Sequence, residues 1–409
     1  MPKQAEKVER IYQFMPCSVY DIASIEGWLE HMAQQGYLLQ KFILSLAAVF
    51  VKGEPQKLRY RLTVMPERVL AASENEVFLA LHEEFGWHYA AQCSYFGIFY
   101  TADEAAVELH TDPQIYAMAL KRVKREQWYS LLLVVFQLLL YIPFQFIKHG
   151  SVRAMLNFGF CFWAGLLIFS LCITYWCLNR FLRSRKLYKQ MRDTAFYGAQ
   201  KDWHKGVARF QIKTAVFILL TACSFAWSLL GGYWAIKQDH AIALEDYTEP
   251  FPFVTMADFF PGSVFVQTDQ SDYANDVKVK RDVLAPEQVS LSQRGKLYRN
   301  GSCIWEGTLW VDYYDTRFPW LVRQLARELQ QQDERLWGSR YQRYTSLELP
   351  ALDIDYAVAY RTLFPTVILV DDCRLLYIMY QQSADLEQLS LEQLVQFYVE
   401  DLQAEGGNL

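Results

Sequence analysis

The sequence predicts a chain of mixed class: an N-terminal α/β two-layer sandwich built from a duplicated helix–hairpin unit, three transmembrane helices, and a C-terminal α+β domain. Three observations predict it. A helix–glycine–aromatic–strand pattern is written twice at an offset of 50 residues. Three long runs without a charge fall between residues 129 and 236. The charge also changes sign along the chain. Residues 240–409 hold 14 basic and 26 acidic side chains, a net of −12, whereas the remainder holds 26 basic and 19 acidic, a net of +7. Such a split points to two surroundings, not one uniform globule.

The first domain is expected over residues 1–127. In DIASIEGWLEHMAQQG (21–36), Ile22, Ile25, Trp28, Leu29 and Met32 recur at helical spacing. Asp21 is the expected N-cap and Gly36 the left-handed residue after the helix. YLLQKFILSLAAVFVKG follows as two strands meeting near residues 44–47. The second copy runs from Glu74 through Val77, Phe78, Leu81 and Phe85 to Gly86, and WHYAAQCSYFGIFYTADE again reads as two strands. Trp28 aligns with Phe78, Gly36 with Gly86, Tyr37 with Trp87 and Phe50 with Tyr100. One such unit cannot bury both its helix stripe and its sheet face, but two can share a core. KLRYRLTVM (57–65) alternates Leu58, Tyr60, Leu62 and Val64 against Lys57, Arg59, Arg61 and Thr63, an additional strand with one wet face.

In order and spacing, WLEHMAQQGYLLQKF, FVKGEPQKLRYRL and EEFGWHYAAQCSYFGIFY resemble the domain of unknown function 2812 family. Trp28, Leu29, Met32, Ala33, Gly36, Tyr37, Lys52, Pro55, Tyr60, Arg61, Leu62, Gly86, Trp87 and Tyr89 carry the resemblance, over about residues 8–110. It implies a bacterial chain in which membrane spans follow the domain. It implies no activity, because none is established for the family. At Ala47-Ala48 the sequence departs from the bulkier or glycine-containing turn usual there.

A membrane domain is expected over 128–237, with helices at about 129–147, 154–178 and 214–236 and a basic loop at 180–213. Each run is long enough for a helix to cross roughly 30 Å of hydrocarbon. Basic residues mark the inner side. Lys121, Arg122, Lys124 and Arg125 precede the first run, and the 180–213 loop carries ten basic residues, among them Arg180, Arg183, Arg185, Lys186 and Lys189. The expected topology is therefore a multi-pass cell-membrane protein with a cytoplasmic N-terminus and an extracytoplasmic C-terminus. No charged residue or His lies within the runs, which argues against an ion- or proton-coupled transporter. Gly231-Gly232 reads either as a close helix contact or as a loose helix end.

The remaining residues, 238–409, read as a separate α+β domain. Strand-like runs span 262–314, with Gly295 and Asn300-Gly301 as turns, and a helix at 317–338 has Pro319 in its first turn. Strands at 353–361 and 365–380, turning at Asp371-Asp372, and a helix from about 389 complete it. Cys303 and Cys373 are its only cysteines, and a disulfide between them is left open.

Few residues point to chemistry. Lys57, Arg59 and Arg61 form a basic row, and with Trp87 they are the candidate interaction residues. A solvated sheet face is the simpler account of the row. Arg180, Arg183, Arg185, Lys186 and Lys189 are expected at the membrane surface, on a basic amphipathic helix drawn to anionic headgroups. His82 and His88 lack a third ligand at zinc-like spacing. Asp269, Asp272 and Asp276 lack the glycine and the terminal glutamate of a calcium loop. There is no phosphate-cradling glycine loop, nucleophile elbow or C-x-x-C pair, and no cleavable leader is expected, because MPKQAEKVERIYQF lacks an apolar run. No cofactor, no metal and no enzymatic activity are expected. The expected partners are the lipid bilayer and a protein in the cytoplasm or membrane, not nucleic acid. A sensor or regulatory adaptor is the leading expectation, and an accessory subunit of a transporter or envelope enzyme the alternative.

Overall fold

The structure is a computed structural model that describes residues 9–65, 72–109, 113–141, 151–193, 202–268, 275–339, 343–383, 386 and 389–405. The chain divides into two compact units. One comprises residues 1–138 with 169–223, the other 139–168 with 224–409.

The first unit opens with two βαββ modules. β1 (Arg10–Phe14), α1 (Ile22–Gln34), β2 (Tyr37–Ile43) and β3 (Ala47–Lys52) make the first. β4 (Arg59–Val64), α2 (Ala72–Glu84), β5 (His88–Cys93) and β6 (Phe96–Thr101) make the second. In each, the leading strand pairs with the last one, giving antiparallel sheets ordered β1-β3-β2 and β4-β6-β5. The segment 57–65 therefore supplies the first strand of the second copy, and its counterpart is RIYQF, which no alternation singles out. The repetition extends to the backbone. Gly36 and Gly86 both end their helices in the left-handed region, at φ +83° and +78°. Both hairpins slip register after the aromatic, between Leu39 and Lys41 and between Tyr89 and Ala91. Trp28, Leu29, Phe50, Tyr60, Leu62, Phe96 and Ile98 share one core, as two half-domains must. Ala47 and Ala48 lie in β3, beyond a turn at residues 44–46.

The same core takes Leu120 and Val123 from α3 (Pro113–Phe136) and Leu187 and Met191 from the long helix α5 (Phe160–Asp193). Three transmembrane helices were expected, and this is corrected. Among the described residues two helices are long and apolar enough to cross a membrane, Phe160–Met191 of α5 and Val207–Gln238, here α6. Little of either is buried, 17% and 11% of their apolar windows, unlike a core helix of a soluble protein. The expected first run belongs to α3, which carries Lys121, Arg122, Lys124, Arg125 and Glu126 and passes into a π-helical turn at Gln137–Tyr141. Residues 142–147 of that expected run lie outside the described residues.

The second expected run also begins later than predicted. α4 (Ser151–Phe158) ends at Gly159, φ +79°, and α5 starts afresh at Phe160. α5 then continues without a break through the basic residues 180–193, so these are not a separate surface helix; 194–201 lie outside the described residues. Gly165 and Gly231 hold α5 and α6 close. A Cβ at Gly165 would stand 2.7 Å from Ser228 N, and one at Gly231 2.6 Å from Phe162 N. The Gly231 side of the glycine pair is thus a close helix contact.

The second unit carries one large antiparallel sheet. Its strands are β7 (Ile242–Ala243), β8 (Val264–Gln267), β9 (Asp276–Lys280), β10 (Glu287–Arg299), β11 (Ser302–Asp315), β12 (Thr345–Leu347), β13 (Tyr356–Arg361), β14 (Pro365–Asp371) and β15 (Arg374–Gln382). They run in the order β12-β13-β14-β15-β11-β10-β9-β7, with β8 also on β10. Both faces are covered. α7 (Pro319–Asp333) and α4 pack on Ile368, Val370 and Leu375, and α8 (Leu391–Glu405) packs on Val367, Leu369 and Leu376.

Asn300 and Gly301 turn β10 into β11 with positive φ, 52° and 82°, as the hairpin reading requires. Gly295 is not a turn. It sits inside β10, where the ring of Phe265 leaves no room for a Cβ. Cys303 and Cys373 are free thiols at opposite ends of β11: Cys303 opens the strand, and Arg374 pairs with Asp315 at its close. A twelve-residue stretch of strand separates them, about 40 Å at ~3.3 Å per residue, so no bridge can form.

Candidate functional site

The basic row on β4 is built into the first domain. β4 is the outer strand of its sheet, so its N–H groups on one side lack a ladder partner. Two glutamates one turn apart on α1 supply it. Leu62 N donates to Glu26 (2.9 Å) and Tyr60 N to Glu30 (3.2 Å). Arg61 lies against both carboxylates (3.8 and 3.4 Å) and donates twice to Glu108, at 2.9 Å from Nε and from Nη2. Arg59 pairs with Glu108, donates to the carbonyls of Glu104 (3.2 Å) and Ala106 (3.3 Å), and lies over the Trp87 ring at 5.5 Å. Lys57 pairs with Glu104. Trp87 is fully buried and donates from Nε1 to the Val107 carbonyl (2.8 Å). Burial pushes Glu26 up to about 7, opposed by the Leu62 N–H and Arg61. The hydrogen bonds from Arg61 hold Glu108 below the usual carboxylate range. Lys57, Arg59, Arg61 and Trp87 thus converge on the loop 103–108, where Glu104 and Glu108 pair with the three cations and the Val107 carbonyl accepts from Trp87.

The helix cations are placed differently. Arg180 and Arg183 are half-buried, while Arg185, Lys186 and Lys189 are exposed. Arg180 lies 4.5 Å over the Trp176 ring and donates to Ser94 Oγ (3.1 Å). Arg183 lies 5.7 Å over Phe210 and donates to Asn179 (3.2 Å). With Lys213 of α6 they border a cavity of about 800 Å³. The first hairpin turn, residues 44–46, and residues 92–94 where β5 enters the second turn complete its wall. Among the described residues no carboxylate lies within ion-pair distance of Arg180, Arg183 or Lys213. A second groove of about 650 Å³ lies between Lys121, Arg122, Lys124 and Arg125 of α3 and Phe181 of α5.

Two further features were not legible beforehand. α2 is held by Phe78 and His82, whose ring stacks on Phe99 at 4.4 Å, and burial lowers the His82 pKa. Its outer face shows Val77, Leu81 and Phe85 to solvent at four-residue spacing, beside Glu76, Glu83 and Glu84. In the second unit, Asp333 accepts from the hydroxyls of Tyr360 (2.8 Å) and Tyr377 (2.7 Å). Among the described residues no three His, Cys, Asp or Glu side chains converge as metal ligands do. Asp269 and Asp272 of the acidic trio lie outside them.

Fold and site together define a class: a duplicated βαββ domain whose core is completed by the ends of long apolar helices. Residues 21–133, about a quarter of the chain, match the family model described as "Protein of unknown function (DUF2812)", which bears out the resemblance drawn from Trp28, Gly36, Tyr60 and Trp87. No curated protein and no solved structure matches the chain.

Proposed function

We propose that the chain is a non-enzymatic sensor or regulatory adaptor of the membrane. Its N-terminal domain faces the cytoplasm, its acidic domain faces the opposite side, and α5 and α6 carry a conformational signal. One observation carries this reading: α5 and α6 each contribute residues to both compact units. Leu187 and Met191 of α5 are core residues of the N-terminal domain. In the other unit, Asp282 accepts from Phe160 N (3.2 Å), Gln238 accepts from Arg281 N (2.7 Å), and Lys280 pairs with Asp239 (2.7 Å). The orientation rests on the basic residues that flank the helices, Arg180, Arg183 and Lys213 among them. The adaptor surface is the Val77–Leu81–Phe85 stripe. Its acidic margin suits an amphipathic partner helix with basic flanks.

Two measurements test it. In intact cells, an impermeant thiol reagent is applied to variants retaining only Cys303 or only Cys17, with denatured controls. Labelling of Cys303 alone is expected, and labelling of Cys17 alone reverses the orientation and sinks the reading. Then Gly231→Leu, which presses on the backbone of Phe162, is followed by hydrogen exchange in nanodiscs. Altered exchange in residues 9–65 is expected. An unchanged pattern in a folded variant removes signal transmission. It would leave the accessory-subunit reading, which the exposed Leu167, Leu171, Leu219 and Leu230 favour. That second reading requires a polytopic partner that co-purifies in mild detergent and is lost when the spans are replaced.

A further inference from the structure

The cavity beside Arg180 combines features that neither helix has alone. On α5, Trp176, Arg180 and Arg183 follow at four and three residues, so they share one face. On α6, Phe210, Lys213 and Phe217 do the same. On both helices the cations sit where the charge-free run ends, with Trp176 and Phe217 one turn further into it. The cavity is thus cationic at one level and apolar at the next. Each guanidinium is stacked on a ring and fixed by one hydrogen bond, to Ser94 or Asn179. Its remaining N–H groups stay available, since an Arg offers five. Lys213 is exposed and no carboxylate answers it among the described residues.

The hairpin turns add an independent observation. Leu44, Ser45 and Ser94 adopt positive φ, 49°, 57° and 56°, which costs a non-glycine residue about 1 kcal/mol or more. Leu44 is nevertheless 85% exposed. An apolar side chain held out at a strained turn, level with a charge boundary, gains nothing in water. It gains by entering the interfacial layer of a bilayer.

We propose that this cavity binds the headgroup of one anionic phospholipid. The phosphate is held by Arg180, Arg183 and Lys213, an acyl chain lies along Trp176 and Phe217, and Leu44 dips into the same leaflet. Charge-assisted bonds to a phosphate are the strong ones, and the stacked guanidiniums are already oriented for them. Free phosphate would use the cations but leave the apolar level unfilled, so a lipid suits the cavity better. The proposal depends on α5 and α6 meeting a bilayer and not on the signalling role, so either can fail without the other.

The test is native mass spectrometry of the full chain in mild non-ionic detergent, offered equimolar phosphatidylglycerol and phosphatidylcholine. One retained phosphatidylglycerol per protein is expected. Arg180→Gln with Arg183→Gln should retain it about tenfold less, as loss of bonds to a charged group implies. Lys186→Gln with Lys189→Gln, on the same helix but outside the cavity, should not. If the double arginine variant does not fold, Lys213→Gln decides, because an exposed side chain can be shortened without disturbing the core. Equal retention of both lipids, or undiminished retention in Lys213→Gln and the arginine variant, overturns the site. Displacement of the lipid by millimolar inorganic phosphate overturns the lipid assignment in favour of a free anion.

Discussion

The first unit contains two sets of basic residues that look alike in sequence and differ in the folded chain. On β4, Lys57, Arg59 and Arg61 are met by Glu104, Glu108, Glu26 and Glu30. On the two long helices, Arg180 and Arg183 are met by aromatic rings, a hydroxyl and an amide, and Lys213 is exposed at the same cavity. The first set is spent on closing a sheet edge. The second is held in shape and left charged. Whether a cation is available is decided by what the fold brings to it, and its own neighbours in sequence say little.

Removing the central cation of the β4 set should have the largest effect. Arg61→Ala leaves Glu26 and Glu30 without a counter-charge and Glu108 with Arg59 alone. Breaking such a part-buried network should cost about 3 kcal/mol, read by denaturation of the full chain in detergent. Arg180→Ala should alter stability far less and show itself in lipid retention. Equal losses in the two variants would erase the distinction between the sets.

A second effect is pH dependence in the same network. Burial raises Glu26 from 4.5 to about 7, so the folded state binds its proton more tightly than the unfolded state does. The associated stabilisation is complete below pH 4.5 and is lost as pH rises toward 7, an effect on the order of 2 kcal/mol after allowance for neighbouring charges. Glu26→Gln should flatten that slope and be the more stable form at pH 8, measured by melting from pH 4.5 to 8.

A smaller pair of effects separates the two copies of the repeat. At Gly36 a Cβ would stand 2.8 Å from the Gly53 carbonyl, whereas at Gly86 the nearest atom is 3.9 Å away. Gly36→Ala should therefore cost about 2 kcal/mol and Gly86→Ala about 1, the latter being only the left-handed penalty. Last, Lys57→Ala should leave the melting temperature unmoved, because its ion pair with Glu104 is fully exposed to water.

Much of this was legible in the sequence. The two glycines, the helix stripe of Trp28 and Leu29 and the 50-residue offset are local patterns, and local patterns survive into the fold. The long charge-free runs marked α5 and α6 for the same reason. What failed was whatever depends on distant partners. RIYQF shows no alternation and becomes a strand only because β3 is there to pair with. Counting charge-free residues from 129 ignored that the run is the tail of a charged helix, α3. Gly295 reads as a turn until β8 is laid beside β10. The carboxylates opposite Arg61 come from 31 to 47 residues away, and the cavity gathers residues from 18 to 218.

The unequal helices of the repeat have a further consequence. α1 buries Ile25, Trp28 and Leu29 completely, whereas α2 is anchored by its inner ring contacts and leaves Val77, Leu81 and Phe85 outside. Duplication gave this domain more helix than its interior consumes. A residue that the interior does not consume can change without unfolding the chain, so the outer face of α2 is where related chains can drift toward different associates while the scaffold stays constant. The repeat thus separates the part of the domain that must be kept from the part that is free to diversify.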